Sequence, residues 1–502
     1  MLEFVLKKYQ RANKRYCSGG FLRSKNVMRI IIYMRARYLF TNLRVYLIII
    51  STIVKGDFMY KFNPDFYADV RIEDRFSSTV VFKNGALDAL NERVEKRAFI
   101  RVFDGNLWLY ASTSDVDSVQ NELDALYAQA TPNKNIADNP IVKRYQVNVA
   151  NEMKFEADSV RNVSKDDKLA LLKGMQEHVK SPFLAMSQVA YKDRNSVYEF
   201  YSSKGADIKY DYQMCGILAV GILAAPGDFV QAIYQQAKPF FKELGGFEKE
   251  IEKKMADADN FVQNAKPCTK GKFPVILSPM AAGMFAHESF GHKSEADFML
   301  GDEHMAKEWV LGKKVGSDIL SIVDTGTDFG SGYVPFDDEG TRAGKTYLIK
   351  NGILCGRLHS ATTAAALDEE LTGNARAIDC KFEPIVRMTN TYIEPGNSTF
   401  DELVAGIKHG YFIDTVSHGS GGSTFTIAPS IAYEIIDGKI ACPVKISVVT
   451  GDVFETLNLI DGLTDETIFE DGVFGGCGKM EQFPLHVLDG GPFVRVKEMN
   501  VQ

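Results

Sequence analysis

From Tyr67 onward, apolar and polar positions alternate in short runs separated by hairpin dipeptides. The pattern predicts strands over 77–83, 98–103 and 107–111, with turns at Asn84-Gly85 and Asp104-Gly105, dipeptides that strongly favour tight hairpins. After Ser114, read as an N-cap, the period changes. Val116, Val119, Leu123, Leu126 and Tyr127 fall on one face of a helix that can cover the sheet. Ser164 with Asp167 caps a second helix through Leu169, Leu172 and Met175, strands follow over 196–210, and 228–265 reads as helix broken at Gly245-Gly246. This α+β stretch ends at Cys268-Thr-Lys-Gly271, which reads as a boundary.

Beyond the boundary, Phe273–Leu277 has the apolar run of a buried strand. Ser278-Pro279 then opens an apolar helix through Met280, Ala281, Ala282, Met284 and Phe285 to His287. Apart from helices near 361–371 and 400–409, the remainder is strand-rich, with many Gly-Asp, Asp-Gly and Gly-Gly turns. The expected organisation is α+β in three parts. Residues 1–58 are an extension, 59–268 an N-terminal α+β domain of hairpins and covering helices, and 269–502 a β-rich mixed domain carrying the apolar helix. At 502 residues and 45% hydrophobic, the chain is long enough for two substantial cores.

Charge separates the extension from the rest. Residues 1–58 hold twelve Lys or Arg against Glu3 and Asp57, so they carry +10, and the remainder must carry −17 to reach the net −7. An acidic body of that kind argues against broad nucleic-acid binding, which needs a basic surface. The extension joins a long basic region to a ten-residue, mostly apolar stretch, 45–54. Three readings stand: upstream sequence ahead of a natural start at Met59, an interfacial membrane anchor, or an export signal. The apolar stretch is about half what a membrane-spanning helix needs, and no small-residue cleavage site follows it. Fold reasoning therefore begins at Met59. Seven scattered cysteines without a Cys-x-x-Cys pair give no disulfide framework, so a reducing cytoplasm is the expected compartment.

His287-Glu288-Ser289-Phe290-Gly291-His292 carries the chemistry. Two imidazoles suit Zn²⁺, and a carboxylate between them can serve as a base for a water at the metal. In the commoner His-Glu-x-x-His spacing both ligands face one side of a helix. Here the second histidine is at i+5, about 140° round a regular helix, so the backbone must be irregular near Phe290–His292, with Gly291 the permissive position. A catalytic zinc site wants a third protein ligand, and Cys477 is the best candidate. It sits among Gly475, Gly476 and Gly478, beside Lys479, which could favour a thiolate. Such a turn would have to fold back over the motif helix.

The two motifs together resemble the paired signature of the TldD/PmbA family of metallopeptidases, in its metal-binding TldD-like branch. Glu295 and Asp297 follow the first motif. Asp337-Asp338-Glu339-Gly340-Thr341, Leu371-Thr372-Gly373-Asn374, Arg387-Met388-Thr389-Asn390-Thr391-Tyr392 and Ile436-Asp437-Gly438-Lys439-Ile440 recur in the family's order, and Asn84-Gly85 with Arg101-Val102 echo its N-terminal domain. The resemblance runs from about Met59 to the C-terminus. It implies one Zn²⁺ per chain on His287, His292 and Cys477, with Glu288 as general base on the metal-bound water. It further implies hydrolysis of unfolded or extended peptides, by a homodimer or a heterodimer with a PmbA-like subunit. Glu295, Lys479 and His418 are candidates for supporting or substrate contacts. A departure is Gly419-Ser420-Gly421-Gly422-Ser423, a loop that looks shorter than in many relatives.

Bland readings stand beside these. His178, His304, His359, His409 and His486 read as ordinary surface or hydrogen-bonded residues, and Asp337-Asp338-Glu339 as a structural turn rather than a second metal site. The rival function is a noncatalytic subunit that grips peptides or a partner protein. A branch of that kind should lack a ligand or the base, whereas all four residues are present here. Modulation of a DNA enzyme, suggested by the family's association with gyrase, gains nothing from an acidic body.

Overall fold

β1 (Tyr67–Lys83) and β2 (Ala86–Phe103) pair antiparallel along their full length. Their turn has positive φ at both Asn84 (48°) and Gly85 (82°), as a type I′ hairpin requires. The computed structural model describes residues 59–502, apart from 227, 422–423 and 472. The three readings of residues 1–58 fall outside the described residues. β2 begins at Ala86 rather than 98: its first half is charged and largely exposed, so only pairing with β1 makes it a strand.

β3 (Trp108–Thr113), β4 (Val149–Glu152), β5 (Leu184–Ser202), β6 (Asp207–Ala225) and β7 (Asp228–Lys238) complete a seven-stranded sheet. Its order is β3-β2-β1-β5-β6-β4, with β7 also on β6. Helix α1 (Val119–Gln129) covers it by burying Val119, Leu123 and Leu126. The helix starts after Ser118, not Ser114. Thr113 Oγ1 accepts from the Asp115 N–H and Ser118 Oγ donates to the Asp115 carbonyl, local bonds that hold this entry out of the α-helix. α2 (Lys165–Gln176) is capped as expected, Ser164 Oγ accepting from the Asp167 N–H at 3.1 Å.

The expected long helix over 228–265 is overturned. β7 occupies its first part, and only α3 (Glu248–Asn264) is helical. Phe229, Val230, Ile233 and Tyr234 satisfy either period, but the two most buried residues, Val230 and Ala232, alternate, and the segment pairs with β6 along its length.

In the C-terminal half, β8 (Gly271–Leu277) runs directly into α4 (Pro279–Ala286), where Ser278 Oγ accepts from the Ala281 N–H and proline holds the first turn. β9 (His409–Gly421) lies parallel to β8 and forms a hairpin with β10 (Thr424–Ile436). β11 (Cys477–Lys479) pairs with Gln482–Leu485 in a short ribbon. β12 (Leu488–Gly491) belongs to a six-stranded sheet, and β13 (Val494–Val501) returns beside β8 in an eight-stranded one. Helix α4 packs against strands of both sheets, burying Ala281, Ala282, Phe285 and Ala286. The predicted helices near 361 and 400 stop at Leu367 and Ala405.

Asp337-Asp338-Glu339 is structural, as expected. Asp337 accepts from the backbone of Glu339, Thr341 and Ala375, while Asp338 and Glu339 pair with Arg71 (3.0 Å) and Arg101 (3.1 Å) of the first sheet. From Tyr60 to Gln502 the chain is one compact unit.

Candidate metal centre

The i+5 spacing is resolved by a change of helix type. α4 passes into a π-helical turn over His287–Gly291 and then a 3₁₀ turn over His292–Ser294. The wider turn lets the two imidazoles face each other, ring centroids 5.0 Å apart. Gly291 contributes differently from the expectation. Its φ of −56° is ordinary helix, but a Cβ there would lie 2.1 Å from Met388 Sδ, so the glycine gives room for packing rather than backbone freedom.

Cys477 arrives on β11 from 185 residues away, its Sγ 3.5 Å from His292 Nε2. Ligand atoms of His287, His292 and Cys477 all lie within 4.8 Å of one another, and among the described residues this is the group that could hold a metal ion. Zn–N and Zn–S bonds of about 2.1 and 2.3 Å in a tetrahedron put N and S about 3.6 Å apart, so the donor set and spacing suit zinc. Each histidine is anchored through Nδ1: His287 to Asp489 Oδ1 at 2.7 Å, His292 to Glu295 Oε2 at 3.1 Å. The Nε2 atoms are thereby left for a metal.

The anchors are themselves held. Lys479, buried on β11, lies 3.1 Å from Glu295 Oε2 and donates to Asp297 (2.7 and 2.8 Å) and the Val386 carbonyl. Arg387, fully buried, donates to the Cys477 carbonyl at 2.8 Å and so fixes the strand that presents the thiol. Glu288 is half-buried between the ligands in sequence, and its carboxylate has no hydrogen bond or ion pair among the described residues. A Cβ on Gly421 would fall 2.1 Å from the Glu288 carbonyl, so the tip of β9 lies directly on the motif turn.

Sequence reading missed Asp489, the partner of His287. Its only signal was an acidic residue before Gly490-Gly491, and β12 brings it to α4 through sheet order alone. His418 is not drawn into the ligand cluster. It lies exposed on β9, opposite Ala428, with Nδ1 3.2 Å from Ser417 Oγ. Within the segment 419–423, Gly419–Gly421 end β9, and Thr424 begins β10 directly after it.

A model of the PmbA/TldA metallopeptidase C-terminal domain matches residues 270–502, and one of PmbA/TldA metallopeptidase domain 1 matches 68–130. A metalloprotease of Methanocaldococcus jannaschii is 32% identical over 442 residues, covering 86% of this chain and 95% of that one. The chain belongs to the PmbA/TldD metallopeptidase family. A zinc metalloprotease TldD homolog of Saccharolobus solfataricus is 27% identical, covering 87% of this chain and 96% of its own. The solved TldE of Thermococcus kodakarensis shares the fold of this PmbA/TldD chain, with TM-score 0.66 at 16% identity over 87% of this chain and 96% of that one.

Protons at this PmbA/TldD centre are coupled. Burial alone would raise the Cys477 thiol, but hydrogen bonds from His287 and His292 outweigh it and bring the pKa down to about 6. Burial likewise disfavours a charged His292, yet bonds to Cys477 and Glu295 lift it to about 9, and Asp489 raises His287 well above the usual range against the same penalty. Without metal, then, a thiolate faces imidazoliums between pH 6 and 9. A metal takes neutral imidazole, so binding must expel protons, and affinity must climb as pH rises toward 9. Calorimetry at pH 7.5 in buffers of different ionisation heat should show about one or more protons released per zinc. Proton-neutral binding would contradict this coupling.

Asp489 gives a separate expectation. Asp489→Ala frees the His287 ring, and zinc affinity should fall roughly 10–100-fold as for other lost outer partners. Competition with a chromophoric chelator measures this, and an unchanged affinity would dismiss the anchoring role.

Proposed function

We propose that this chain is a zinc-dependent peptidase that hydrolyses peptide bonds of unfolded or extended polypeptides. The observation that carries it is the convergence of His287, His292 and Cys477, whose ligand atoms lie within 4.8 Å, around a motif turn that also holds Glu288, a carboxylate without a hydrogen bond or ion pair among the described residues. Zinc, when bound, supplies a Lewis acid that polarises a carbonyl and lowers the pKa of water.

The protein's own residues do the rest. Asp489 and Glu295 hold the two imidazoles at Nδ1 so that Nε2 of each is presented, and against the penalty of burial the bond to His292, with Lys479 beside it, keeps Glu295 charged. Glu288 takes a proton from the attacking water and returns it to the departing amine nitrogen. Selectivity for extended chains follows if the substrate is held by backbone hydrogen bonds, which ignore side-chain identity but require an unfolded strand. The proposed assembly is a homodimer or a heterodimer with a PmbA-like subunit, and the proposed compartment the cytoplasm. No helix among the described residues is long and apolar enough to cross a membrane.

The test is metal content together with cleavage. Purified protein should carry about one zinc per chain and cut an unfolded polypeptide while sparing its folded form. Cleavage should vanish with chelator and return with zinc. Bound zinc without cleavage, alone or with a PmbA-like subunit, would favour the noncatalytic peptide-binding reading.

A further inference from the structure

The ribbon that presents Cys477 is two strands standing apart from the larger sheets, Cys477–Lys479 against Gln482–Leu485, with Lys479 opposite Gln482. An isolated pair this short does not hold its own place, so the side chains that tie it down decide where the thiol lies. Lys479 ties one strand to Glu295, Asp297 and the Val386 carbonyl. Gln482 ties the other, and its partners lead away from the metal centre.

Gln482 is buried, with both ends of its amide bonded to one loop: Oε1 accepts from the Ile378 N–H at 3.1 Å, and Nε2 donates to the Glu383 carbonyl at 2.9 Å. The loop, 377–384, joins the paired residues Ala375–Arg376 and Ile385–Val386 and has no strand or helix of its own. Its backbone groups must therefore find partners among side chains. The first sheet supplies them. Arg71 donates to the carbonyls of Asp379 (3.1 Å) and Phe382 (2.9 Å), Arg75 to that of Ile378 (3.0 Å), and Ser112 Oγ to that of Cys380 (2.6 Å). Asp338, paired with Arg71, accepts from the Ala377 N–H at 2.7 Å. The loop is thus fastened to β1 and β3 on one side and to the ribbon on the other. Gln482 makes both hydrogen bonds between loop and ribbon among the described residues.

We propose that Gln482 is a positioning residue for the metal centre, through which the first sheet fixes where the ribbon presents Cys477. The inference rests on Cys477 as a zinc ligand, the reading given above. It adds that residues of the first sheet, none of which supplies a ligand, set the affinity of the site. A ligand displaced by a fraction of an ångström holds its metal less tightly, and contacts outside the ligand set decide that displacement.

The test uses the full chain. Gln482→Met keeps an unbranched side chain of similar size and removes both bonds. Zinc affinity, read against a chromophoric chelator, should fall about tenfold, the low end for a lost outer partner. With saturating cobalt in place of zinc, the sulfur-to-metal charge-transfer band should weaken or shift, because it reports how the thiolate meets the metal. Arg71→Lys keeps the charge opposite Asp338 but cannot bridge the Asp379 and Phe382 carbonyls. It should lower zinc affinity about threefold or more in the wild-type background. In the Gln482→Met background, where the link is already cut, the further loss should be less than about twofold. Ser164→Ala unseats the cap of α2, which packs on the same sheet, without touching the loop, and should leave affinity and band as in wild type. Where Gln482→Met fails to fold, Arg71→Lys with the cobalt band carries the test. Wild-type affinity and band in Gln482→Met or in Arg71→Lys overturns the proposal. So do losses that multiply independently in the double variant, or an equal loss in Ser164→Ala, which would reduce the effect to general loosening. Wild-type protein that takes up neither zinc nor cobalt fails the metal reading itself, and so the two failures are distinct.

Discussion

Glu288→Gln should bind zinc as tightly as wild type and lose peptide cleavage by about 10²–10⁴-fold in kcat, the range expected when a positioned base is removed. The reason lies in how the site divides its carboxylates. Asp489 and Glu295 are each committed to an imidazole Nδ1, and Asp297 is taken up by Lys479. Glu288 is the acidic group of the motif left with no hydrogen bond or ion pair among the described residues, although it is only half-exposed. A carboxylate kept free beside a metal centre is available to move protons, and glutamine keeps its size while removing that capacity. Because Glu288 supplies no ligand atom to the cluster, zinc stoichiometry should stay at about one. A Gln variant that lost zinc would reassign Glu288 to metal binding, and one that cut normally would remove it from the chemistry altogether. KM should change little if the side chain acts only on the reacting water.

What could be read from the chain alone depended on whether the cause was local. The i+5 spacing of His287 and His292 forced a prediction of irregular helix, and the π turn over His287–Gly291 is where it occurs. Ser278-Pro279 and Ser164 made caps that are present because a side-chain oxygen and a nearby N–H suffice. Hairpin positions were legible for the same reason. Asp489 was not, since its role comes from β12 lying against α4, a matter of sheet order across 202 residues. β7 was misread because four of its apolar residues fit either period, and pairing with β6 decided between them. The first half of β2 had no apolar alternation to show, and there too a neighbouring strand supplied what the segment lacked.

Cys477→Ala should abolish both zinc retention and cleavage while leaving the fold intact. The strand carrying Cys477 is held independently of its thiol: Arg387 donates to its carbonyl, and Lys479, two residues on, is locked by Glu295, Asp297 and the Val386 carbonyl. Removing the sulfur therefore removes a ligand without releasing β11. Zinc affinity should drop by more than about 100-fold, beyond the roughly 10–100-fold that follows loss of an outer anchor such as Asp489. The metal-free variant carries a second signature. With no thiolate opposite it, His292 loses its leading source of stabilised charge, so its pKa should fall from about 9 toward the ordinary imidazole range, visible by NMR titration. Normal zinc content in Cys477→Ala would leave two histidines as the whole site and return the third ligand to open question. Loss of zinc with an unmoved His292 titration would mean that the thiol reaches the metal without contacting that ring beforehand.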